Sequence, residues 1–364
     1  MTPLVTIDAS YGEGGGQLVR SAVALAAITG TPLRLHGVRA RRATPGLAPQ
    51  HLAAVRAVAA LCDARCDGLQ LGAREFSFVP GALKGGDFDF DVGTAGSVTL
   101  VLQALLPAML CAPAATRVRV VGGTDIRGAP PFDYFRDTIA ELLRHMDLTI
   151  ACSLSRRGYY PRGGGEVCVT VSPSPPRPFA AAEPQRLLAI DGAAHVGNLP
   201  GQIADRMRAA ALGALGPLAA TAAVQARALG PQEAVGRGGA IVLRARLRHT
   251  VLGAGRVAQR GVWAEALGEA VGAEVALDLR NGATLDEHAT DQLLIHCALA
   301  RGVSEFLTRR ISMHATTAMW LIPQFLPVHF AVIQEGAFNR VRIDAQGGPD
   351  ADSSGRHCAR TAGT

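Results

Sequence analysis

Lysine is almost missing: Lys84 is the only one in 364 residues. That scarcity removes the common lysine-based ways of handling nucleotides. A phosphate loop of the form Gly-x-x-x-x-Gly-Lys-Ser/Thr is not present. Lys84 lies in Ala82-Leu83-Lys84-Gly85-Gly86-Asp87, which reads as a turn between two strands and not as a nucleophile's setting. Aromatic residues are also few, at 5%, so the core is built mainly from Ala, Val and Leu. The seven cysteines (62, 66, 111, 152, 168, 297 and 358) contain no Cys-x-x-Cys pair and no metal-ligand spacing. The longest apolar run, Val98 to Ala112, carries Gln103 and Pro107 and is too short to span a bilayer. The chain enters a strand, Leu4–Asp8, without a basic-then-apolar leader. The expectation is a soluble protein of a reducing, cytoplasmic compartment, with no membrane partner.

What remains is apolar and arginine-rich. Hydrophobic residues make up 48% of the chain, enough for a large core. The net charge is +6, and all of the basic side chains except Lys84 are arginines. That balance suits a polyanionic partner, although arginine also follows genome composition.

Periodicity repeats one order of elements three times. The first copy predicts a strand Leu4–Asp8, a helix after Gly12-Glu13-Gly14-Gly15-Gly16-Gln17 through about Thr29, and a strand Leu33–Val38. A helix Pro49–Cys62 and short strands near Leu69–Leu71 and Glu75–Val79 complete it. The second copy predicts strand Phe88–Val92, a helix after Gly93-Thr94-Ala95-Gly96-Ser97, strand Arg117–Val121, helix Pro131–Met146 and the strand pair Leu148–Leu154 and Glu166–Val171. The third predicts strand Val275–Leu279, helix Asp286–Arg301, strand Ser304–Ile311, a helix from about Ala315 to Phe325, and strands Val328–Gln334 and Asn339–Ile343. The fold class is therefore α/β (α+β), with three βαβαββ repeats in a large domain. Pro173-Ser174-Pro175-Pro176-Arg177-Pro178 breaks the rhythm as a linker. The expected division is residues 1–177 for repeats one and two, 178–273 for an inserted smaller α/β domain, 274–345 for repeat three, and 346–364 for a disordered polar tail.

Several stretches could carry chemistry. Gly12 to Gln17 feeds a helix N-terminus, where free N–H groups and the helix dipole can hold an anion; it serves equally well as a tight packing turn. Glu13 at that spot would repel a phosphate unless a divalent cation joined them. Arg39, Arg41 and Arg42, together with Arg20 on the first helix, make either a phosphate clamp or a solvated loop. Gln103, inside an apolar helix, needs a partner or a site. Asp291, near a helix start, could be a cap. His314 falls between a strand and a helix, either as a polar cap or as an imidazole kept neutral and nucleophilic by the helix end.

Taken in order, these stretches resemble the RNA 3′-terminal phosphate cyclase family over roughly residues 3 to 344. The resemblance rests on Gly12 to Gln17 with Arg20-Ser21, Arg39-Ala40-Arg41 with Pro45-Gly46-Leu47, Gln50-His51-Leu52, and Gly93 to Ser97. It continues through Gly122-Gly123-Thr124-Asp125, Ala129-Pro130-Pro131, Tyr159-Tyr160-Pro161-Arg162-Gly163-Gly164-Gly165, Asp291-Gln292 and His314. The inserted region and the residues flanking His314 match the family least.

The resemblance implies a thioredoxin-like arrangement for the inserted domain and ATP-dependent cyclisation of an RNA 3′-phosphate to a 2′,3′-cyclic phosphodiester. It implies His314 as the residue that takes AMP, and Gln103, Pro130, Pro131, His288, Ala289, Thr290, Asp291 and Gln292 as nucleotide-binding. Arg20, Arg39, Arg41, Arg42 and Gln50 would handle phosphate or the RNA end. ATP would be a substrate, RNA with a 3′-phosphate the partner, and Mg²⁺ or Mn²⁺ the metal, with Glu13 as its ligand. Two other readings stay open: a non-catalytic family relative serving ribosome assembly, and an enolpyruvyl-transferase-like enzyme acting on an anionic metabolite.

Overall fold

The computed structural model describes residues 3–93 and 95–346; Thr94 and the expected tail after Gln346 lie outside the described residues. The first unit runs β1 (Val5–Asp8), α1 (Gly16–Thr29), β2 (Leu33–His36), α2 (Pro49–Leu61), β3 (Arg65–Asp67) and β4 (Phe76–Val79). The second runs β5 (Gly86–Asp91), α3 (Val98–Leu110), β6 (Thr116–Gly122) and α4 (Phe132–Tyr134). A wider helical turn then leads into α5 (Ala140–His145), β7 (Thr149–Gly158) and β8 (Gly165–Ser172).

The third unit begins earlier in the chain than its periodicity suggests. A two-residue strand, β9 (Ala180–Ala181), precedes β10 (Leu187–Gly197), α6 (Gln202–Leu215), β11 (Ala222–Leu229), β12 (Ala234–Val235), β13 (Gly238–Leu247), β14 (Val251–Val257) and α7 (Ala264–Arg280). After these come α8 (Glu287–Leu299), β15 (Arg301–Thr308), α9 (Met313–Leu321), β16 (Val328–Glu335) and β17 (Phe338–Gln346). The expected strand Val275–Leu279 is therefore helical. Its Val-Ala-Leu-Asp-Leu alternation fits a strand in isolation, but Leu267, Val271 and Val275 continue a four-residue spacing and are all buried. The expected strand at Leu69–Leu71 is also displaced, to Arg65–Asp67.

Strand order is the same in three sheets. β1 pairs parallel with β2, β2 antiparallel with β4, and β4 antiparallel with β3. β5-β6-β8-β7 follows the same pattern, with β12 added beside β7. So does β9-β15-β17-β16. The fourth sheet, β11-β10-β13-β14, is mixed, and α6 and α7 pack together against it. Gly268 and Gly272 allow this closeness: a Cβ at either would stand 2.0 Å from the Met207 carbonyl oxygen or 2.3 Å from that of Ala211.

One apolar core joins the three like sheets through α1, α2, α3 and α8, and a second lies within residues 190–283. On α3, Leu102, Leu105 and Leu106 are almost fully buried, each contributing about 2 kcal/mol. That packing sets the helix direction and so presents Gln103 on the remaining face. Among the described residues no helix is long and apolar enough to cross a membrane, and the six described cysteines are free thiols.

Candidate active site

A cleft of about 670 Å³ opens where the units meet. It takes residues from the α1, α8 and α9 N-termini, from α2 and α3, from the Arg127–Pro131 loop, and from the end of β14. The α1 N-terminus has Gly15 as its cap and no side chain bonded to the first-turn N–H groups, which leaves them for an anion. Gly12 and Gly14 both take positive φ. A Cβ on Gly12 would stand 2.3 Å from Thr317 Oγ1, so the glycine backbone lies directly on α9. This contact carries Glu13 to His314.

His314 occupies the first turn of α9, whose cap, Ser312, accepts a hydrogen bond from Ala315 N at 2.9 Å. Imidazole Nε2 contacts the Glu13 carboxylate, and Nδ1 lies 3.6 Å from Asp291 Oδ2. The Ser312 hydroxyl donates to the same Asp291 oxygen at 3.3 Å, and Gln17 Nε2 donates to the His314 carbonyl at 3.2 Å. Asp291 and Glu13 together push the His314 pKa up to about 9. Hydrogen bonding to His314, aided by Arg42, pulls that of Glu13 down to about 2. The ring is thus protonated at pH 7, contrary to the neutral imidazole expected from the helix end. Two whole negative charges in contact outweigh a helix terminus equivalent to about half a positive charge.

Around this pair the arginines divide. Arg20 is buried, donates from Nη2 to Gln103 Oε1 at 2.9 Å, and has its pKa lowered to about 10 by burial. Its Nε is buried without a partner. Arg42 pairs with Glu13. Arg39 has φ of 51° and donates to the Gly46 carbonyl at 2.9 Å, which fixes its loop against the cleft. Arg41 is exposed and does not line the cleft. His51 does; burial, with Arg20 and Arg39 nearby, pushes its pKa down to about 3, so it is neutral and accepts from Ala48 N at 3.2 Å.

The α8 end is locked by Asp286. Its carboxylate caps His288 N and Ala289 N at 3.0 and 2.8 Å, accepts the Tyr134 hydroxyl at 2.6 Å, and accepts Gly253 N at 2.9 Å. One carboxylate thereby ties the second and third units to β14. Asp286, and not Asp291, is the helix cap, which leaves Asp291 free to face His314.

Of the residues singled out from sequence, Glu13, Arg20, Arg39, Arg42, Gln50, Gln103, Pro130, Pro131, His288, Asp291, Gln292 and His314 line one cleft. Ala289 and Thr290 are fully buried beneath it, and the Thr290 hydroxyl donates to the Asp286 carbonyl at 2.8 Å. Gln17 and His51, named within the quoted motifs, also line the cleft, as do Arg127, Tyr134, Arg256 and Gln259, which had not been singled out. Arg127, a cation in a Gly/Pro loop beside Pro130, had a readable signal. Arg256 and Gln259 come from the region between the repeats and had none.

A family model described as RNA 3′-terminal phosphate cyclase matches residues 11–332. The chain belongs to the RNA 3′-terminal phosphate cyclase family. It is 52% identical over 337 residues to a protein of that name from Nitrosospira multiformis, covering 92% of this chain and 95% of the relative. A second, from Pyrobaculum neutrophilum, is 40% identical over 347 residues, covering 95% and 99%. The whole cleft lining of this cyclase-family chain, from Glu13 to His314, lies inside the matched span.

Proposed function

We propose that this chain uses ATP to convert an RNA 3′-terminal phosphate into a 2′,3′-cyclic phosphodiester, with His314 carrying AMP. The observation that supports this most is His314 Nε2 directed into an arginine-lined cleft while Asp291 faces Nδ1. Once Nε2 hands its proton through the Glu13 carboxylate to solvent and Glu13 withdraws, the ring attacks the α-phosphorus. An N–P bond forms, the bond to the β-phosphate bridging oxygen breaks, and pyrophosphate leaves with that electron pair. Asp291 offsets the positive charge the ring acquires and keeps it a good leaving group for the next step.

An oxygen of the RNA 3′-phosphate then takes AMP from the histidine, forming a P–O–P link as the N–P bond breaks. The neighbouring 2′-hydroxyl attacks the terminal phosphorus, loses its proton, and expels AMP. Proximity on the same ribose favours that last step. Arg20, Arg39 and Arg42 supply the positive charge that successive phosphates need. Glu13, a carboxylate in the arginine-lined cleft, would hold a divalent cation jointly with substrate phosphates, since one or two carboxylates plus phosphates is a usual Mg²⁺ set. A bound cation would stabilise charge on the leaving pyrophosphate.

Incubation with α-labelled ATP and Mg²⁺ or Mn²⁺ tests the reading. Acid-labile label is expected on the wild type and none on His314→Ala. An unlabelled wild type, or full RNA-end cyclisation by His314→Ala, refutes it.

A further inference from the structure

Aromatic rings are scarce in this chain and eight of the seventeen are buried, yet two of them stack at the surface beside the cleft. Tyr11 and Trp320 have ring centroids 3.9 Å apart and an interplanar angle of 18°. Trp320 rests against the main core, while Tyr11 is 40% exposed. The pair adjoins the elements that carry His314, and neither ring lines the cleft. Tyr11 immediately precedes the glycine backbone that lies on Thr317, and Trp320 is on α9 itself. Six residues of helix separate Trp320 from His314, about 9 Å along the axis. Met313, next to His314, is 56% exposed and falls on the same face of α9 as Trp320, seven residues on. The loop bearing exposed Arg41 packs through Gly37 against Asp8 and Ser10, just before Tyr11.

We propose that the Tyr11–Trp320 stack is a platform for a base of the RNA strand upstream of its reacting 3′-phosphate. The proposal rests on the reading that this chain acts on RNA ends. A strand whose terminal phosphate enters the arginine-lined cleft beside His314 has the α9 side as one way out. A flat aromatic face beside an exposed arginine offers what a single strand binds without regard to sequence: a ring for a base and a cation for the backbone. The continuity of the surface with the cleft, through Gly12 and Glu13, favours a nucleic-acid strand as occupant over a protein. Neither aromatic side chain reaches the reacting atoms, so both are substrate-binding residues and not catalytic ones.

The test compares a 3′-phosphorylated RNA oligomer with a single ribonucleoside 3′-phosphate, which has no upstream base. For Tyr11→Leu, KM for the oligomer should rise about tenfold. KM for the mononucleotide and the rate of labelling by α-labelled ATP should stay at wild-type values. Tyr11→Phe should restore oligomer KM, since it keeps the ring. In a Trp263→Phe background, which leaves Trp320 as the only tryptophan, titration with the oligomer should quench emission and the mononucleotide should not. An unchanged oligomer KM in Tyr11→Leu, or equal weakening of both substrates, overturns the platform. A wild type that takes no label refutes the proposed function instead, so the two failures are distinct.

Discussion

Replacing Glu13 with Gln in the nucleotide- and metal-free protein removes one of the two charges that keep His314 protonated. The imidazole pKa stands at about 9 against an ordinary 6.5, supported by Asp291 as well as Glu13. Because 41% of the side chain is exposed, solvent screens both pairs, and Glu13 is credited with roughly one pH unit of the difference. The His314 midpoint should therefore fall by about one unit in Glu13→Gln, and the neutral fraction at pH 7 should rise about tenfold. Ring NMR titration, with the resonance assigned by comparison with His314→Gln, reads the midpoint. The rate of acylation of His314 by diethylpyrocarbonate at pH 7 reads the neutral fraction independently. A wild-type midpoint at or below 6.5, or one unmoved by the substitution, would refute the carboxylate account.

The same pair has a stability signature. His314 has a folded pKa above its unfolded value, so its contribution is complete below about 6.5 and disappears as pH rises through about 9. Glu13 is the reverse, complete above about 4.5 and lost as pH falls through about 2. After screening, the pair is worth about 1 kcal/mol, present in full between those inner limits.

Other outcomes follow from single contacts. Arg157→Leu strips the cation from buried Asp125 and Asp133, which it meets at 3.2 and 2.6 Å. It should cost about 3–5 kcal/mol, read as a fall in thermal midpoint of about 4–7 °C for a chain of this length; a shift within about 2 °C would show that the cluster relaxes. Gln103→Leu removes the acceptor that orients Arg20, and should weaken ATP or RNA-end binding about tenfold or more by titration. Unchanged affinity would make Arg20 structural. Arg41→Ala should label with ATP at the wild-type rate yet reduce the salt slope of RNA binding by about 0.7. Slower labelling would bring Arg41 back to the nucleotide.

Much of this was readable from residues, for a physical reason. Strands such as Phe76–Val79 and Gly165–Ser172 alternate buried and half-buried positions because one face meets the core, and period two records that. The glycine-rich loop and the arginines beside it were legible because few sequences tolerate positive φ and clustered cations without a use. Val275–Leu279 was misread because five residues satisfy both periods, and only the upstream helical spacing decides between them. Protonation of His314 could not be read at all. It depends on Glu13, some 300 residues away in sequence, reaching α9 through the contact between Gly12 and Thr317. The places of Arg256 and Gln259 in the cleft were hidden for a related reason: no local pattern marks a side chain that reaches the cleft only when β14 docks on the Tyr134 region.

That dependence explains why the site sits where it does. Each like unit, taken alone, offers a helix start and a polar loop at one edge of its sheet, and none alone offers an imidazole with both its carboxylate partners. Glu13 and the arginines come from the first unit, Gln103 and the proline loop from the second, His314 and Asp291 from the third. Asp286 bonds to Tyr134 and Gly253 across that meeting point. A carboxylate with three kinds of donor is satisfied only when all three elements are docked, so loss of docking leaves a buried charge unpaired. Burial raises its pKa, and those donors together with the nearby His288 oppose that rise. The cleft is therefore a property of the docked assembly, and its chemistry and its packing fail together.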